Sequence, residues 1–121
     1  MSMFKIEDDI IKITRANRAV IDFSLPDYIF KAGDIIELKI YEKSGLDKPP
    51  LKTKQVIVTN DCSSLDIELT KEDTDIGIPG NKVVDYWYEF ELNGDQTVIG
   101  YDDNKGPKIL KLYPKGVENN D

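Results

Sequence analysis

Apolar and polar side chains alternate with a period of two through most of this chain, and that pattern fits a half-buried β-sheet better than any helix. Ala19, Ile21, Phe23 and Leu25 alternate with Val20, Asp22 and Ser24. In "GDIIELKIY", Ile36, Leu38 and Ile40 fall on one face and Glu37, Lys39 and Tyr41 on the other. "SLDIEL" repeats the scheme, with Leu65, Ile67 and Leu69 in and Asp66 and Glu68 out. Shorter strands are expected at Ile10 to Thr14, Gln55 to Thr59 and Lys108 to Tyr113. Turn-formers separate them: Pro26-Asp27, Ala32-Gly33-Asp34, Ser44-Gly45, Pro49-Pro50, Asn60-Asp61 and Pro79-Gly80-Asn81. Strands of similar length at such spacing predict a β-sandwich or barrel. Only "TKEDT" reads as helical: Thr70 can cap the amide of Asp73, and Asp73 can answer as in a capping box.

"YWYEFELNGDQTVIG", residues 86 to 100, carries the strongest short hairpin signal. Asn-Gly suits a type I′ turn, which needs positive φ at both central residues. A two-residue loop at Asn93-Gly94 predicts Leu92 opposite Asp95, Phe90 opposite Thr97, Tyr88 opposite Ile99 and Tyr86 opposite Tyr101. Tyr86, Tyr88 and Phe90 then belong to the core. Trp87 falls on the other face with Asp85, Glu89 and Glu91, opposite Gly100. Three readings of Trp87 stand side by side: a ring shielding the bare backbone of Gly100, a platform for a sugar ring, or part of a protein-protein interface.

The chain has 121 residues and a formal net charge of -7. That size suits one domain with a real core, and the negative field argues against nucleic acid and anionic membrane surfaces as partners. The sequence contains no histidine, which removes Ser-His-Asp and Cys-His catalysis and the usual zinc sites. Cys62 is the only cysteine, so an internal disulfide is ruled out, and its neighbours Asp61, Ser63 and Ser64 offer no basic group to activate the thiol. "MSMFKIEDDIIK" has no apolar core of a secretory signal.

Other constellations have plain readings too. Glu89 and Glu91 would lie about 7 Å apart on one face, from twice the strand rise, a spacing that glycosidases use; a solvated sheet face is the simpler account. "DDNKG" at 102–106 and "DTD" at 73–75 offer oxygen ligands, but neither matches a calcium loop, and no metal or cofactor is expected. Arg15 and Arg18 in "ITRANRAVIDF" suit either ion pairing with an acidic neighbouring subunit or a solvated turn.

The order "IIKITRANRAVIDFSL", "YIFKAGDIIELKIYEK", "PPLKTKQV", "LDIELTKEDTD" and "YWYEFELNGDQTVIG" resembles the N-terminal domain of the upper baseplate protein family of tailed phages and prophages of Gram-positive bacteria. The likeness covers roughly residues 10 to 113, and Arg15-Ala16-Asn17-Arg18 stands where that family has an Arg-Gly-Asp-Thr-like turn. The resemblance implies a β-sandwich serving as a structural or adaptor module, with no catalytic residues to carry over. The expectation is therefore an all-β chain: a single antiparallel immunoglobulin-like β-sandwich with one short helical turn. One domain would span 1–121, with a core over about 10–113 and a loose tail at 114–121. Its expected role is non-enzymatic. It would be made in the bacterial cytoplasm and act in the virion as part of the tail baseplate, as a homo-oligomer or with other tail proteins. Trp87, Asp85, Glu89, Glu91, Arg15 and Arg18 are the expected interface residues. A small carbohydrate-binding module is the alternative.

Overall fold

A computed structural model of the chain describes residues 2–4 (backbone only), 10–25, 27–43, 45–78, 80–101 and 106–115. Among these residues nine strands and one helical turn follow one another: β1 Ser2–Phe4, β2 Ile10–Thr14, β3 Ala19–Phe23, β4 Ile35–Glu42, β5 Lys52–Ile57, β6 Leu65–Leu69, α1 Lys71–Thr74, β7 Val84–Leu92, β8 Gln96–Ile99 and β9 Lys108–Tyr113. They form a small sheet, β1-β3-β6, and a six-stranded sheet ordered β2-β9-β7-β4-β5, with β8 also paired to β7. The run β9-β7-β4-β5 matches the G-F-C-C′ order of variable-type immunoglobulin sheets, and β3 beside β6 matches B beside E. The chain is all-β with one short helix. No helix among the described residues is long and apolar enough to cross a membrane.

The alternation seen in the sequence becomes the two inner faces. Ile36, Leu38 and Ile40 of β4 and Tyr88, Phe90 and Leu92 of β7 are all buried, and so are Ile21, Phe23, Ile67 and Leu69 on the small sheet. Phe23 and Phe90 meet across the sandwich with ring centroids 4.5 Å apart. Full burial of side chains of this size supplies about 1.5–3 kcal/mol each.

One edge of this core is closed electrostatically. Lys54 lies opposite Leu38 in the β4–β5 register, so Lys52, Lys54 and Val56 point to the inner side of the edge strand. There Asp73 of α1 takes up both charges, at 3.1 Å from Lys52 and 2.9 Å from Lys54. The same carboxylate accepts the Thr70 amide while the Thr70 hydroxyl accepts from the Asp73 amide, the predicted capping box. Inward lysines on an edge strand also discourage strand-to-strand association there.

Several details differ from the sequence-based expectation. The sheets are not uniformly antiparallel: β1 runs parallel to β3 and β2 parallel to β9. Residue pattern does not encode strand direction, since a strand's inner and outer faces are the same either way. The fifth strand is observed at Lys52–Ile57 rather than Gln55 to Thr59, because Lys52 and Lys54 are inner-facing charges that an apolar pattern passes over. In the β7–β8 hairpin, Asn93 and Gly94 do have φ of 57° and 76°, and Asp95 N–H donates to Leu92 O at 3.4 Å. Pairing then slips: Leu92 faces Gln96, Glu91 faces Thr97 and, past a bulge, Phe90 faces Ile99. Strand β8 ends at Ile99, and Tyr101 beyond it is 58% exposed and not paired with Tyr86. Of the expected loose tail, Pro114 is buried and residues 116–121 lie outside the described residues.

Candidate functional site

Strand β7 turns Asp85, Trp87, Glu89 and Glu91 to the outer face of the large sheet because Tyr86, Tyr88, Phe90 and Leu92 fill its inner face. All four of these predicted residues therefore share one surface. Trp87 is half-buried, flanked by its cross-strand partners Tyr41 on β4 and Ile109 on β9. Its indole nitrogen is fully covered and has no hydrogen-bond partner among the described residues.

Each acid around Trp87 is held by a neighbour. Tyr41 lies opposite Trp87 but donates its hydroxyl to Glu89 Oε1 at 2.8 Å. Lys39 lies opposite Glu89 but pairs with Glu91 at 3.1 Å. Both side chains reach two residues along β7, in the same direction. Glu37, directly across from Glu91, would repel it; Lys39, 3.8 Å from Glu37, lies between the two carboxylates. Lys111 pairs with Asp85 at 3.0 Å. Burial, the bond to Glu89 and the surrounding carboxylates push the Tyr41 phenol far above its ordinary range, so it stays a neutral donor. The hydrogen bond to Glu91 raises Lys39, burial opposing it only in part. These pairings fix the side chains and leave Glu89 and Glu91 engaged rather than poised as an acid and a base.

Two of the expected site features are corrected. Gly100 does not lie beneath Trp87: a side chain there would meet Thr97 and the Cβ of Glu89, the latter at 3.5 Å. The one-residue slip at the turn and the bulge in β8 together move it. Arg15 is not available to a neighbouring subunit. It is 6% exposed and donates within its own chain, to Asp75 Oδ1 at 3.0 Å, Ile76 O at 2.6 Å and Ile78 O at 3.3 Å. Neither reading of Arg15 from the sequence foresaw burial. Arg18, in the same turn, is exposed.

The acids of "DTD" are likewise occupied, Asp73 by Lys52 and Lys54 and Asp75 by Arg15. No group of three or more Cys, Asp or Glu among the described residues is placed to hold a metal ion. Residues 102–105 of "DDNKG" lie outside the described residues.

A second surface feature was missed. At the end of the sandwich where β7 begins, Leu51, Val84, Tyr86, Gly77 and Ile78 line a groove of about 410 Å³ with Glu42, Lys43 and Asp85 at its rim. The signal was present: "DIGIPG" places two isoleucines in a Gly/Pro loop where polar residues are usual. Ile76 is buried and Ile78 is 87% exposed. Comparisons with protein-family models, with curated proteins and with solved structures find no match.

Proposed function

We propose that this chain is a non-enzymatic structural or adaptor protein of a phage or prophage tail baseplate, working through contacts with other tail proteins or with copies of itself. One observation carries the reading: a half-buried tryptophan at the centre of a sheet face whose surrounding acids are all tied to neighbours. Such a face offers apolar area and a fixed polar rim, the make-up of a protein-protein interface. It offers a reacting group poor support. The burial of Tyr41 and of the Trp87 N–H leaves less of these rings for stacking on a sugar, which weighs against the carbohydrate-binding alternative.

The setting rests on the family resemblance over residues 10 to 113. Mass spectrometry and antibody labelling of particles induced from the source lysogen test it. The chain should be present at stoichiometric levels at the tail tip, and its absence from intact particles overturns the setting. Within such particles Trp87→Ala should lower incorporation, by about 2 kcal/mol or more in association if Trp87 is a hot spot. Undiminished incorporation removes Trp87 from the interface.

A further inference from the structure

The groove at the end of the sandwich, unlike the Trp87 face, has both halves of a contact on one patch. Ile78 is the most exposed of the large hydrophobic residues described, at 87%. It is also held in place. Arg15 donates to the carbonyls of Ile76 and Ile78 and pairs with Asp75, while the Ile76 side chain is anchored in the core. A loop braced at three positions presents Ile78 to solvent at small cost in ordering when it binds. Leu51 and Val84, 40% and 36% exposed, line the groove beside it above Tyr86. Single exposed apolar residues are ordinary, whereas a contiguous group beside a concavity marks a contact surface.

We propose that this patch binds a second copy of the chain through a two-fold contact, Ile78 of each copy entering the groove of the other. A two-fold interface uses the same surface on both subunits, so it requires a patch that complements itself. This one carries a projecting isoleucine, a groove with apolar walls, and rim charges of both signs, Lys43 with Glu42 and Asp85. With Asp85 held by Lys111, the pairing across the two-fold axis is between Lys43 of one copy and Glu42 of the other. The contact does not depend on the baseplate setting or on Trp87.

Sedimentation of the whole chain over a wide concentration range tests it. The wild type should form dimers that Ile78→Asp weakens at least about thirtyfold. Ile57→Asp, at a 59% exposed position on β5, and Trp87→Ala should leave the dimer unchanged. Circular dichroism and thermal melting confirm folding of each variant. If Ile78→Asp does not fold, Lys43→Glu at the exposed rim carries the test and should weaken the dimer by like-charge repulsion. A wild type that stays monomeric throughout overturns the proposal. So do dimers that survive the Ile78 change, or, if that variant does not fold, the Lys43 change, and so do dimers lost equally on changing Ile57.

Discussion

The hydroxyl end of the Tyr86 ring lies against Gly77, so close that a methyl group on Gly77 would collide with the phenol oxygen and approach the ring carbon bearing it to 3.2 Å. Gly77 also has φ of +69°. Gly77→Ala therefore faces two penalties, the left-handed backbone at about 1–2 kcal/mol and overpacking at about 1–3 kcal/mol. A loss of about 3 kcal/mol in urea unfolding is expected. Tyr86→Phe removes the colliding oxygen, so the double variant should lose less than the sum of the two single changes. Strict additivity would show that the two residues do not touch.

Gly94 sits in the β7–β8 turn at φ +76° with open space around it. Only backbone conformation opposes a side chain there. Gly94→Val should cost about 1–2 kcal/mol, seen as a lower melting temperature. An unchanged melting temperature would show that the residue does not hold positive φ in solution.

Ala16, in the turn between β2 and β3, holds φ of +58° without being glycine. Replacement by glycine relieves about 1–2 kcal/mol of backbone strain and loses up to about 1 kcal/mol through the freer unfolded chain. Ala16→Gly is expected to raise the urea midpoint by a stability gain of about 0.5–1 kcal/mol. A lower midpoint would count against strain at Ala16.

Asp73 links pH to stability. Burial alone would push its carboxyl up, but hydrogen bonds from the Thr70 amide, Lys54 and Lys52 overcome this and hold it well below the usual carboxylate range. Its unfolded value is about 3.9, so the stabilisation is complete above that pH and is lost progressively as pH falls below it. Asp73→Asn should cost about 2 kcal/mol at pH 7, the scale of hydrogen bonds to charged groups. The gap between wild type and variant should narrow at pH 3. A gap that stays constant with pH would remove Asp73 from the acid response.

The elements that were legible in the sequence are those whose neighbours decide their burial locally. The patterns of Ile36–Leu38–Ile40 and Leu65–Ile67–Leu69 report a face directly, and the Thr70–Asp73 cap is written in four residues. The outer-face placement of Asp85, Trp87, Glu89 and Glu91 follows from the same parity. What the pattern could not convey is long-range. Arg15 is buried because three acceptors sixty or more positions later surround it, and no local rule marks that. Tyr41 reads as outward and is outward, yet only 5% exposed; beside Trp87 and bonded to Glu89, it is covered on a face that pattern alone assigns to water. Asn93 and Gly94 signalled the positive φ of the turn, but the loop closes on Leu92 and Gln96 rather than Leu92 and Asp95, and a second slip follows at the bulge near Phe90.

The parallel alignment of β2 with β9 has a consequence for how the protein is made. Ile10–Thr14 finds its partner only at Ile109–Tyr113, so β2 is synthesised well before the strand it pairs with and must wait for it. Until then Ile11 and Ile13, buried in the finished fold, have no sheet to join, and β7 lacks the neighbour that covers one of its edges. Closing so long a loop is slow, and apolar strands left waiting are prone to wrong association. The nascent chain therefore depends on β3, β4, β6 and β7 assembling first, as a partial sandwich, while β2 is still unpaired. β2 and β9 should then join that partial sandwich together, in one step.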